Sequence, residues 1–165
     1  MHQVVTAVAE YLIFVVAVVA AAVWFTLPAP DRWKLAVRAA FAGIVTLAIV
    51  QVANHLYYDP RPFVGGHVHP YFAHVADNGF PSDHTAVAAV AGFVLWPYRR
   101  RISAVLLVAA AFVGIARVVA HVHSPIDIIA ALVIAAVGSA VGLYLGGLAW
   151  SRWQARTGWP RPQGS

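Results

Sequence analysis

Apolar residues fall in five runs along the chain, with polar residues collected between them. The first run extends from about Val4 to Leu27 and stops at Pro28, Pro30 and Asp31. The second covers about Leu35 to His55. A polar, aromatic stretch from Tyr57 to Pro81 precedes a short third run, about Asp83 to Pro97. The fourth covers about Ile102 to Val119, and the fifth about Pro125 to Trp150. These runs approach or exceed the roughly 20 residues that a helix needs to cross the hydrocarbon core of a bilayer. The pattern predicts an all-α, polytopic membrane bundle of about five transmembrane helices. It forms one domain over residues 1–150, with no internal repeat. Ser151 to Ser165 is polar and Pro-rich and reads as a flexible tail. The first run lacks a basic leader and a small-residue cleavage site, so it reads as a retained span.

Composition sharpens this picture. Only 10% of the 165 residues are charged, 61% are hydrophobic, and the mean hydropathy is +0.74. Soluble domains carry about 25% charged residues, so this chain cannot cover a water-facing surface. The absence of cysteine excludes disulfides and thiolate metal sites. The net charge of +5 does not indicate a nucleic-acid partner, because the basic residues sit in turns between apolar runs. Arg32, Lys34 and Arg38, then Arg99, Arg100 and Arg101, then Arg152, Arg156 and Arg161 all fall on one side of the bundle. The positive-inside rule makes that side cytoplasmic. The N-terminus, the 57–81 loop and the 120–124 turn then face outward, and the C-terminus faces inward. Membrane lipids surround the protein, and a multi-pass place in the cell membrane follows.

Arg61 and Arg117 break the charge rule, and each lies beside a polar cluster on the outer face. Arg61 stands in Asp59-Pro60-Arg61-Pro62-Phe63, and Phe80-Pro81-Ser82-Asp83-His84-Thr85 opens the third run. Arg117 is followed six residues later by His123, in His123-Ser124-Pro125-Ile126-Asp127. An arginine fork matches phosphate oxygens and keeps its charge. Ser82 is placed to cap the third helix, whose free N–H groups suit an anion. His84, in that first turn, could protonate a leaving oxygen. Asp127 lies one turn after His123 and could hold one ring nitrogen, making the other a nucleophile. Taken singly, these features have plain structural readings. Arg61 could snorkel, Ser82-Asp83 could only cap, and Ser124 with Asp127 fits a capping box. Together on one face they point to phosphate chemistry. His67, His69, His74 and His121 show no zinc-ligand spacing, so no metal is expected. Glu10, two turns into the first run, is either a site neighbour or a packing residue.

Arg61-Pro62, Pro81-Ser82-Asp83-His84 and Arg117-x5-His123-x3-Asp127 resemble the three signature motifs of the type 2 phosphatidic-acid phosphatase superfamily. Pro-Arg-Pro-Phe-Val at 60–64 and Phe-Pro-Ser-Asp-His-Thr at 80–85 are most similar to its bacitracin-resistance type, the undecaprenyl-diphosphate phosphatases. The resemblance implies a cofactor-free, metal-independent hydrolysis through a phosphohistidine. His123 would be the nucleophile, Asp127 its partner and His84 the general acid. Arg61, Arg117, Ser82 and the N–H groups near Asp83 and His84 would hold the phosphate. Three positions depart from the family pattern: Asn54 stands where it has lysine, Asp83 where it usually has glycine, and Ala116 where it usually has serine. The implied substrate is a polyprenyl diphosphate. Alternatives are phosphatidic acid, phosphatidylglycerol phosphate or a polyprenyl-linked sugar phosphate. A lipid-phosphate flippase is a further alternative, but it would need no oriented nucleophile.

Overall fold

The computed structural model describes residues 1–159. Five α-helices run in order: α1 (His2–Phe25), α2 (Ala29–Leu56), α3 (Asp83–Leu95), α4 (Arg100–Val119) and α5 (Pro125–Thr157). A 3₁₀ turn over Pro62–Gly65 interrupts the long loop between α2 and α3. All five predicted helices form, and four are long and apolar enough to cross a bilayer. The third, α3, has 13 residues. That is about 20 Å of helix, short of the roughly 30 Å hydrocarbon core.

Two boundaries differ from the hydropathy reading. Helix α2 starts at Ala29 rather than near Leu35, because a proline in its first two positions has its φ already set for a helix and lacks an N–H that would go unpaired there. Helix α5 continues past Trp150 through Thr157 and stops at Gly158, which takes a left-handed φ of 68°. The tail expected to be flexible is therefore helical over 151–157, carried by aromatic contacts among Trp150, Trp153 and Trp159. The rest of that expectation, 160–165, lies outside the described residues.

Packing explains the small residues. Helix α5 lies along α2, α3 along α4, and α1 against α4 and α3. Gly138, Gly142 and Gly146 recur every fourth residue on α5 and face Thr46, Ala42 and Arg38 of α2. At Gly142 a Cβ would collide with the backbone of Ala42, so only glycine permits this approach. Small residues at such spacing are how helices pack where lipid supplies no hydrophobic drive. Phe14, Val18, Ile44, Leu47, Phe112 and Val133 are exposed on the outward faces. A water-soluble bundle does not carry such a surface. The fold is that of a multi-pass helical membrane protein.

The apolar core occupies one half of the bundle. Val16, Val23 and Leu27 of the α1 end meet Leu35 of α2, Leu95 of α3 and Leu106 of α4 there. The other half holds the 57–82 loop, the 120–124 turn and most of the buried polar side chains.

Candidate active site

The turn between α4 and α5 is folded back by one carbonyl. The oxygen of Arg117 accepts the N–H groups of Val122 (3.1 Å) and His123 (3.3 Å). His121 takes a left-handed φ of 63° to make the reversal. His123 is thereby buried at the start of α5. Asp127, at the third helical position, accepts the Ser124 N–H at 2.8 Å through Oδ2. The same oxygen lies 3.1 Å from His123 Nδ1. One carboxylate oxygen thus serves both the capping and the orienting reading, which do not exclude each other. The Ser124 hydroxyl completes the capping box by accepting the Asp127 backbone N–H, and it donates to Asp59 Oδ2 at 2.5 Å. Gly79 closes this corner. A Cβ there would meet Asp127 Oδ2 at 3.1 Å and the Asp59 carbonyl at 3.2 Å.

Arg61 settles which ring nitrogen of His123 carries the proton. A guanidinium can only donate. Arg61 Nη1 lies 3.2 Å from His123 Nε2, so Nε2 presents its lone pair, and Nδ1–H donates to Asp127. Burial lowers the His123 pKa. The Asp127 hydrogen bond opposes that shift, and the charges of Arg117 and Arg61 add to it. The ring is neutral, with Nε2 facing the arginine.

Both arginines are buried. Arg61 Nη1 also donates to the Val122 carbonyl at 2.7 Å, and its Nε pairs with Asp77 Oδ1 at 2.7 Å. Burial pushes the Asp77 carboxyl up. The hydrogen bond and charge of Arg61 outweigh this and hold it below its ordinary value. Arg117 Nη1 donates to the Ala9 carbonyl at 3.2 Å, and Nη2 to His74 Nε2 at 2.9 Å. Its buried Nε has no hydrogen-bond partner among the described residues, and neither has Asp127 Oδ1.

A cavity of about 300 Å³ opens beside Arg117. Glu10, His74 and His84 line its polar side, and Tyr11, Phe14 and Phe72 its apolar side. Of the residues singled out in the sequence, Arg117, His84 and Glu10 meet in this cavity. His123, Asp127 and Arg61 form the buried cluster next to it. A larger cleft of about 570 Å³ lies near the opposite end, among Trp33, Trp150, Trp153 and Trp159. It is lined by apolar and indole side chains and carries no group suited to phosphate chemistry.

Ser82 precedes α3 as expected, but its hydroxyl does not cap the helix. It is fully buried and pairs with the Thr85 hydroxyl at 3.1 Å. Its backbone N–H donates to the Asp127 carbonyl at 3.3 Å, which sets the starts of α3 and α5 side by side. The Asp83 side chain is exposed. Asn54 donates to the Phe80 carbonyl at 2.9 Å and so fastens the strap that leads into Ser82.

The loop brings in residues that the sequence reading did not select. Asn78 is its hub. Its Oδ1 accepts the Asp59 and Phe80 N–H groups at 3.0 Å each, and its Nδ2 donates to the Asn54 and Tyr57 carbonyls at 2.9 Å each. Asp77 grips Arg61, and His74, read in the sequence as an unremarkable loop histidine, grips Arg117. The one local signal was Asp77-Asn78-Gly79, a turn-forming triplet.

Fold and site together define a multi-pass helical membrane protein with two buried arginines and a buried histidine at its polar centre. The chain belongs to the PAP2 superfamily, whose family model matches residues 33–152. It is 32% identical over 130 residues to undecaprenyl-diphosphatase BcrC of Bacillus subtilis (strain 168), covering 79% of this chain and 67% of that protein. It is 30% identical over 131 residues to the bacitracin transport permease protein BcrC of Bacillus licheniformis, covering 79% and 64%. It is 32% identical over 133 residues to the putative undecaprenyl-diphosphatase YbjG of Escherichia coli (strain K12), covering 79% and 66%. The chain thus spans about two thirds of the length of these relatives. The family and type inferred from the three motifs agree with these matches.

Proposed function

We propose that this protein hydrolyses undecaprenyl diphosphate, or a closely related polyprenyl diphosphate, to the monophosphate and inorganic phosphate. The reaction would return a carrier lipid for peptidoglycan synthesis. The observation that carries the reading is the His123 lone pair, held by Asp127 and placed beside Arg61. Nε2 attacks the terminal phosphorus as the anhydride bond to the lipid phosphate breaks. His84 donates a proton to the leaving oxygen. His84, now neutral, takes a proton from the water that attacks the phosphohistidine, so the P–N bond breaks, phosphate leaves and both rings return to their starting states. Arg61 and Arg117 hold the equatorial oxygens, with help from the N–H groups that start α3 at Asp83, which Ser82 sets beside α5 through the hydrogen bond from its N–H to the Asp127 carbonyl. The apolar side of the cavity, Tyr11, Phe14 and Phe72, suits the first isoprene units of the tail. Glu10 faces the same cavity as a site neighbour, and Asn54 supports the site from behind.

One relative bears the name of a transport permease, and transport of a lipid phosphate is the competing reading. Binding and release alone need no oriented imidazole, so the His123–Asp127 pair favours hydrolysis. Purified protein in detergent should release phosphate from farnesyl diphosphate with EDTA present. Saturable binding of the lipid without phosphate release would favour transport. Release that EDTA abolishes would overturn the metal-independent mechanism.

The domain over residues 1–150 would sit in the cell membrane with its site facing outward and its C-terminus in the cytoplasm. The clustering of basic residues at one end supports this orientation. A C-terminal alkaline phosphatase fusion should be inactive and a C-terminal fluorescent protein bright. The opposite pair of results would invert the topology.

A further inference from the structure

Both arginines of the site are held by one short loop segment. His74 Nε2 accepts from Arg117 Nη2 at 2.9 Å, and Asp77 Oδ1 accepts from Arg61 Nε at 2.7 Å. His74 lies within the site itself: its ring is edge-on to His123, with centroids 6.3 Å apart, and it lines the cavity shared with His84. Neither residue belongs to the motifs that carry the chemistry. Each offers an acceptor to a guanidinium, which is what a phosphate oxygen would offer.

We infer that the 74–77 segment stands in for the substrate phosphate in the resting protein, with His74 as a ligand of Arg117 that the incoming phosphate displaces. This rests on the phosphatase reading above. The hold of His74 is built to be weak. A neutral imidazole has one lone-pair nitrogen. Here Nε2 faces Arg117, while Nδ1 faces the Val75 N–H at 3.0 Å. The ring can accept only one of these two hydrogen bonds at a time. Burial, followed by the charges of Arg61 and Arg117, lowers its pKa to about 4 against the opposing pull of Asp77, so the ring is neutral. A phosphate brings negative charge and several oxygens to the same donors, and charge-assisted hydrogen bonds are the stronger kind. It would take Arg117 and leave Nδ1 free to accept from Val75. Val75, Ala76 and Asp77 are exposed, so the segment can move outward without disrupting the core. In the resting state the stand-in keeps the Arg117 fork from being left unpaired in a buried place, which is costly.

The test is competitive inhibition by orthovanadate and by inorganic phosphate in purified protein, with a farnesyl diphosphate assay. Wild type, His74→Ala and His74→Gln are compared. His74→Ala removes the competing acceptor, so orthovanadate should inhibit roughly three- to tenfold more tightly, the worth of one hydrogen bond no longer broken on binding. The KM for farnesyl diphosphate should fall in the same direction. His74→Gln keeps a carbonyl acceptor for Arg117 and should stay near wild type. A general loosening of the loop would move both variants alike. Weaker or unchanged inhibition in His74→Ala would overturn the inference, and so would equal tightening in both variants. In either case the wild-type activity would leave the phosphatase reading standing. A wild-type protein that neither releases phosphate nor responds to orthovanadate would overturn both.

Discussion

His123→Ala is expected to abolish turnover with every substrate, by about 10⁴-fold or more, since removing a nucleophile leaves only binding and electrostatic catalysis. The reason is specific to how the ring is held. Asp127 Oδ2 fixes Nδ1–H, so the lone pair that attacks is already formed on Nε2, where it accepts from Arg61 Nη1 until a phosphate draws that guanidinium to its own oxygens. Among the described residues, His123 is the site imidazole that pairs with a carboxylate, whereas His74 has the Val75 N–H on its far nitrogen. Asp127→Asn should therefore slow the chemical step while leaving phosphate binding nearly intact. The asparagine amide can donate to Nδ1, which favours the tautomer with the lone pair turned away from phosphorus. Brief incubation with labelled diphosphate and an alkaline quench should trap an acid-labile phosphoryl group, and His123→Ala should trap none. The lowered His123 pKa sets the acid limb of the profile. The nucleophile must be neutral, so kcat/KM should fall with decreasing pH only below the ordinary histidine value of about 6.5. Two in-line steps should give net retention at phosphorus with a chiral thiophosphate. Net inversion would mean direct attack by water and would remove His123 from the nucleophile role.

The helices were legible because apolar runs of the right length leave few alternatives in a membrane. The ends were less legible where the signal was local chemistry. Pro30 let α2 begin ahead of its apolar run, and the contacts of Trp153 carried α5 past it. The residues doing the proposed chemistry were readable because they lie at helix ends, with motif spacing that brings them to one face: Arg117 ends α4, Asp127 starts α5 and His84 starts α3. His74, Asp77 and Asn78 were not. Their partners are Arg117, Arg61 and Asn54, each 16 to 43 residues away, and only the loop's path joins them. Ser82 shows the reverse failure. Its position fits a cap, but its hydroxyl pairs with the Thr85 hydroxyl instead. Asn54, where the family has lysine, gains a structural task in exchange, since its amide anchors the Phe80 carbonyl ahead of α3.

Arg117→Ala should cost about 10²–10³-fold in kcat/KM, the range for losing a preorganised donor aimed at developing charge. The structure explains why this side chain should matter more than its charge alone. Nη1 is committed to the Ala9 carbonyl, which pins the guanidinium plane against α1. With that end fixed, Nη2 and the unpartnered Nε form the edge left to receive two phosphate oxygens side by side. Lysine could supply the charge but not this edge, and it could not keep the Ala9 bond while reaching the phosphate. Arg117→Lys should therefore recover little of the lost activity. Arg61→Ala should lose a similar amount through a different route, because Arg61 also touches the nucleophilic nitrogen and the Val122 carbonyl that shapes the His123 turn. The two can be separated by the trapped intermediate. Arg117→Ala should slow phosphohistidine formation while leaving His123 oriented, so its label should still accumulate on long incubation. Arg61→Ala should disturb the turn and lower the final yield of label as well. Thermal unfolding of the detergent-solubilised variants, with retained monodispersity, separates these losses from misfolding. Near-normal kcat/KM in folded Arg117→Lys would show that a point charge suffices and would withdraw the bidentate role.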